Sequence, residues 1–174
     1  MDALLRRPTF RVVPVALMLI ALQRVVMPNM RLWGVVPQIV LALCAASGVA
    51  GGPDRAAWFG FVVGLMFDLG TGSPLGQHAL AYGLAGYVSG VVNVVAVDPH
   101  WWLSMAFVAL GGAVGELTVP IVSTFVSDGG WHGQRLSTIL PVIAITCGVL
   151  SVLFIPLSRW CLAIRKKTWK AINR

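Results

Sequence analysis

The chain has 174 residues, of which 57% are hydrophobic and 11% charged, with a net charge of +7. Soluble domains carry about 25% charged residues, so a mean hydropathy of +0.84 makes lipid the expected solvent and leaves no stretch of this sequence for a sizeable soluble domain. The cations do not point to nucleic acid: Arg6, Arg7 and Arg11 precede the first apolar run, Arg159, Arg165, Lys166, Lys167, Lys170 and Arg174 lie at or after the last, and no basic groove interleaved with aromatics can be drawn.

Six apolar runs predict six transmembrane helices in one multi-pass unit, residues 1–174. The first, about 12–27, lacks the marks of a cleavable signal peptide. It has Pro14 in its first turn, where a missing N–H costs little, and Arg24 near its far end. Pro28, Asn29 and Arg31 form an external turn, with Trp33 at the interface. The second run, about 35–49, again has a proline, Pro37, in its first turn, and Gly51 to Arg55 reads as a breaker and a cytoplasmic loop. The third, about 56–69, is some fourteen residues long against the roughly twenty that a crossing needs. The turn that follows, Gly70 to Gly76, is therefore expected to dip into the membrane, or the bilayer to thin around it.

The fourth run, about 77–97, carries Ala79, Gly83, Gly86 and Gly90 at spacings that keep them on one helical stripe. Such a stripe lets a neighbouring backbone approach closely in lipid. Asp98, Pro99, His100, Trp101 and Trp102 form the next cytoplasmic turn. The fifth run, about 103–126, holds Glu116 beside Gly112 and Gly115, with Pro120 four residues on. A loop containing Asp128, Gly129, Gly130, Trp131 and His132 leads to the sixth, about 136–162, expected to break or bend near Pro141 and Pro156. An even number of crossings puts both basic ends on one side, the cytoplasm by the positive-inside rule. Cys44, Cys147 and Cys161 form no Cys-x-x-Cys pair, which supports neither a zinc nor a redox site.

Four ionisable residues fall inside or at the rim of these runs: Arg24, Asp68, His78 and Glu116. Each is costly if left facing lipid, about 2.5–3.5 kcal/mol for Arg or Asp at a helix centre, so each needs a role. Arg24 is placed to snorkel to the outer interface. Asp68 fits either a binding role or a turn role, accepting from the backbone N–H groups of Gly70 to Gly72. His78 is within reach of Asp68 or loop carbonyls, and no further ligands stand at metal-binding spacing. Glu116 is either neutral and hydrogen-bonded or paired with Arg24 or a partner subunit, on a helix expected to bend at Pro120. No paired carboxylates share a helix face, and the Gly-rich turn lacks the lysine and strand context of a phosphate loop. The inventory predicts no enzyme, no cofactor and no metal.

Asp68-Leu69, then Gly72-Ser73-Pro74-Leu75-Gly76, then Ala79-Leu80 and Gly86-Tyr87 resemble the signature of the MreD family, rod-shape-determining membrane proteins of bacterial cell elongation. The likeness takes in Phe61 to Phe67 and Val36-Pro37-Gln38-Ile39, with Gln38 where the family has Asp or Asn after the proline. It covers roughly residues 37–90. The resemblance implies six spans in the bacterial inner membrane, both termini cytoplasmic, and a fold like the substrate-binding component of vitamin importers. It also implies a scaffold that binds an MreC-type bitopic protein within an elongation complex of an actin-like filament, a RodA-type glycosyltransferase and a penicillin-binding transpeptidase. Besides these and the lipid bilayer, a homo-oligomer stays open as a partner. The competing class is the substrate-capture subunit of a vitamin importer, whose pocket would draw on Asn29, Trp33, Trp131, His132 and Gln134. The residues expected to hold the fold or its partners are Arg24, Asp68, Gly72, Pro74, Gly76, His78, Gly83, Gly86, Gly90 and Glu116.

Overall fold

The computed structural model describes residues 8–30, 34–96, 100–126 and 136–162. Helices account for the elements among these residues: α1 (Pro8–Val25), a short 3-10 turn (Met27–Asn29), α2 (Ile39–Gly51), α3 (Pro53–Thr71), α4 (Gln77–Val95), α5 (Trp101–Val126) and α6 (Leu136–Cys161). Among the described residues, four segments are long and apolar enough to cross a membrane: Arg11–Asn29, Gln77–Val95, Trp101–Phe125 and Leu136–Cys161. The protein is therefore an all-helical membrane protein. The sequence count of six crossings contains two helices of another kind, α2 and α3.

α2 is the central element and touches all five other helices. Every residue from Ile39 to Val49 is buried. At thirteen residues it rises only about 20 Å, against a hydrocarbon core of about 30 Å. The helix begins two residues after Pro37, not at Val35, and residues 35–38 approach it without helical structure. An apolar run has the same hydropathy whether helical or extended, so the difference was invisible in composition. Non-helical backbone inside a membrane must be covered by protein; here a side chain caps the start of α2, and two serines add bonds to carbonyls within it. The N–H of Val40, in the first turn of α2, donates to Gln23 Oε1 of α1 at 2.9 Å. Ser89 Oγ of α4 donates to the Ala45 carbonyl at 2.5 Å, and Ser158 Oγ of α6 to the Leu43 carbonyl at 3.4 Å.

α3 corrects the expected short third span. Only Gly52, at φ 84° and ψ 169°, breaks the chain between α2 and α3, and Pro53 opens α3. Proline suits a first helical position because its absent N–H would be unpaired there anyway. The helix then continues through Gly70 and Thr71, nineteen residues in all, so no dipping turn is needed to complete it. Asp54, Arg55 and Asp68 keep it outside the four most apolar segments. α1 begins at Pro8, which places Pro14 inside the helix and leaves the Phe10 carbonyl without its usual helical donor. α5 runs on through Pro120, and α6 is unbroken through Pro141 and Pro156.

Candidate functional site

The Ala79, Gly83, Gly86 and Gly90 stripe is buried inside the bundle, against α3 and α2 of the same chain. A Cβ at Gly86 would stand 2.8 Å from the Ala56 carbonyl oxygen and 3.0 Å from that of Cys44; one at Gly90 would stand 2.7 Å from Pro53. α3 answers with its own glycines: a Cβ at Gly60 would meet the Tyr82 carbonyl, and one at Gly64 the His78 carbonyl. The α3–α4 pair is thus a close backbone contact from both sides, which carries the loop between them as a rigid unit.

That loop holds the first polar cluster. α3 ends at Gly72, in the left-handed region at φ 70°, and α4 begins after Gly76, also left-handed at φ 97°. A glycine N-cap has no side chain to satisfy the first N–H groups of its helix. Asp68, only 1% exposed, does so from the preceding helix. Its Oδ2 accepts from the N–H of Gly76 at 2.9 Å, of His78 at 3.2 Å and of Ala79 at 3.3 Å. Its Oδ1 accepts from Ser73 Oγ at 2.9 Å and lies 2.7 Å from His78 Nδ1. The expected acceptance from Gly70 to Gly72 is therefore corrected. Those N–H groups belong to the continuing α3, Gly72 N donating to the Asp68 carbonyl, so the carboxylate turns forward to the helix that lacks a cap.

Arg24, exposed near the end of α1, also has a protein partner. Its Nη1 donates to the Gly70 carbonyl at 3.1 Å, in the last turn of α3 where carbonyls lack helical donors. Arg24 thereby ties the end of α1 to the end of α3. Pro74 closes the turn, its carbonyl accepting from Gln77 N at 3.2 Å.

Ser73, His78 and Asp68 lie together but are not a nucleophilic triad. A general base of that kind uses one ring nitrogen for the serine and the other for the carboxylate. Here Ser73 Oγ at 3.4 Å and Asp68 Oδ1 at 2.7 Å approach the same atom, His78 Nδ1. No group of three His, Cys, Asp or Glu side chains among the described residues is arranged to hold a metal ion.

The second cluster surrounds Glu116, 9% exposed. Its partner is Gln38, whose Nε2 donates to Glu116 Oε2 at 2.6 Å. The alternative of pairing with Arg24 is not realised, since Arg24 is engaged at Gly70. Gln38 sits in the non-helical approach to α2, and that is what lets it reach α5. Tyr82 joins the two clusters. Its ring lies 5.6 Å from His78 and 5.6 Å from Phe67, and its hydroxyl donates to Gln38 Oε1 at 3.5 Å, a long contact. Beside Glu116 a cavity of about 380 Å³ opens between Gly34, Val35, Val36, Gln38, Ile139 and Ile143. Gln38, Tyr82 and Gln23 were absent from the residues expected to matter. The signal for Gln38 was its place after Pro37; Tyr82 and Gln23 gave none. Of the residues suggested for a vitamin pocket, Trp33, Trp131, His132 and Gln134 lie outside the described residues, as do the basic segments at both ends.

Neither the curated proteins nor the solved structures give a match to this chain. A family model described as rod shape-determining protein MreD matches residues 6–128. The match extends beyond the stretch that carried the resemblance, from before α1 to the end of α5, and takes in both polar clusters. The chain belongs to the MreD family of rod-shape-determining membrane proteins.

Proposed function

We propose that the chain is a non-enzymatic scaffold of the cell-elongation complex, a single six-span unit of the bacterial inner membrane with both termini in the cytoplasm. It binds an MreC-type bitopic protein and, through the complex, the actin-like filament, a RodA-type glycosyltransferase and a penicillin-binding transpeptidase. One observation carries the non-enzymatic part: the acidic side chains buried in the bundle, Asp68 and Glu116, are engaged in holding helical segments together. Asp68 caps α4 from α3, and Glu116 receives Gln38 from the approach to α2. A reacting group must be free to change partners or charge during a cycle, and both of these serve fixed contacts. The family's role in rod shape supports the same reading. Affinity purification in mild detergent tests it. A bitopic protein and multi-pass cell-wall synthases should co-purify with this chain, whereas recovery of an ATPase pair alone would sink the proposal.

The cavity beside Glu116 favours a second reading, capture of a small molecule. Its walls present Gln38 and Glu116 among mainly aliphatic neighbours, a thin polar set for recognising a vitamin. Genes for an ATPase pair beside this one would favour importer function; cell-wall and shape genes would favour the scaffold.

A further inference from the structure

A groove of about 540 Å³ lies where α1 and α3 begin and α6 ends. Its walls include Val12 and Val13 of α1, Arg55, Trp58 and Val62 of α3, and Leu162 just past α6. The combination differs from the larger groove along α3, α4 and α5, whose mainly apolar lining includes Tyr87 and Thr118 but offers no charge to select an occupant. Arg55 and Trp58 stand three residues apart and so share a helix face. Arg55 is exposed, and among the described residues neither Asp54 nor any other carboxylate forms an ion pair with it.

The start of α1 and the end of α6, each next to a basic stretch of the sequence, meet at this groove. Arg11 of α1 donates from Nη1 to the Trp160 carbonyl of α6 at 3.3 Å, its guanidinium lying over the Trp160 ring. Arg165, Lys166 and Lys167 follow Leu162 in the chain. A basic pocket between helices on the cytoplasmic side is suited to anionic lipid head groups. Guanidinium matches a phosphate with paired donors, and tryptophan belongs at the head-group level. We propose that this groove binds an anionic phospholipid of the cytoplasmic leaflet, its phosphate on Arg55 and an acyl chain along Val12, Val13 and Val62. The leaflet rests on the topology proposed above; the site itself does not.

The test is native mass spectrometry of the full chain, titrated with phosphatidylglycerol or with phosphatidylethanolamine of the same acyl chains. The wild type should hold phosphatidylglycerol about fivefold more tightly, the preference that one basic residue at an anionic surface supplies. Arg55→Gln should abolish the preference. Val62→Trp should weaken both lipids, because the indole fills the groove; Val62 is exposed, so the fold is spared. Equal retention by the wild type, or an unchanged preference in Arg55→Gln, would overturn the proposal. Displacement by glycerol phosphate alone would also overturn it, by assigning the site to a soluble phosphate. Labelling that places this end outside the cell would remove the leaflet and the topology while leaving a measured preference intact.

Discussion

Asp68 has almost no exposure, yet its carboxylate has more donors than most surface acids: three backbone N–H groups, a serine hydroxyl and a histidine ring. Removing it strands the N–H groups at the start of α4 in a partly buried site. Asp68→Ala should lower stability by about 1–3 kcal/mol, the range for orphaned buried donors. Asp68→Asn, which keeps one acceptor oxygen, should cost less. Unfolding by a denaturing detergent titrated into a mild one would measure both, and a wild-type midpoint for Asp68→Ala would refute the capping role. Glu116 has a single strong partner, Gln38 at 2.6 Å. Glu116→Leu should cost about 1–3 kcal/mol by leaving Gln38 unpaired. Glu116→Gln, which can accept from Gln38 in the same place, should be near neutral in the same titration. Asp68 and His78 could be paired from sequence because ten residues and one turn separate them. Gln38 and Glu116 could not, because 78 positions intervene and no periodicity links an extended segment to a helix on another part of the chain.

At the scale of the helices, the glycine stripe was legible and its partner was not. Spacing put Ala79, Gly83, Gly86 and Gly90 on one face, but a face of small residues can meet any backbone, in its own chain or another. Here it meets α3 and α2, and the glycines of α3 meet it in return. Leucine at Gly83 and at Gly86 should therefore have unequal effects. Gly86→Leu drives a side chain into the Ala56 and Cys44 carbonyls, whereas a Cβ at Gly83 stands 3.2 Å from the Ala57 oxygen beside an open groove. Gly86→Leu should reduce the folded yield severalfold and Gly83→Leu much less, as read by size-exclusion chromatography after extraction. Equal loss at both positions would mean that this packing is wrong. Helix lengths were the weaker part of the sequence reading. Pro53 and its charged neighbours look like a loop until the helix is seen to start on them, and Pro37 looks like a first turn although the helix waits until Ile39.

For the whole molecule, α2 sits at the centre and each of the other five helices packs on it. The fold class could be read from composition, because no other solvent accepts so apolar a chain. The proposed topology rests on charge at the two ends, and the shared groove of Val12, Arg55 and Leu162 brings the start of α1 beside the end of α6. Single-cysteine labelling of intact cells should modify position 131 from outside and leave position 170 untouched. The reverse pattern would refute cytoplasmic termini.

In the proposed scaffold, buried polar groups of this MreD protein hold the fold together and carry no chemistry of their own. The most direct measurement is the shape of cells whose only copy carries Glu116→Gln, compared with Glu116→Leu. The claim predicts rods of normal width with Glu116→Gln, still co-purifying the bitopic partner, and rounded or widened cells with Glu116→Leu. Equal and severe rounding with both, while the Gln variant remains folded and abundant, would contradict it and assign a function to the charge itself.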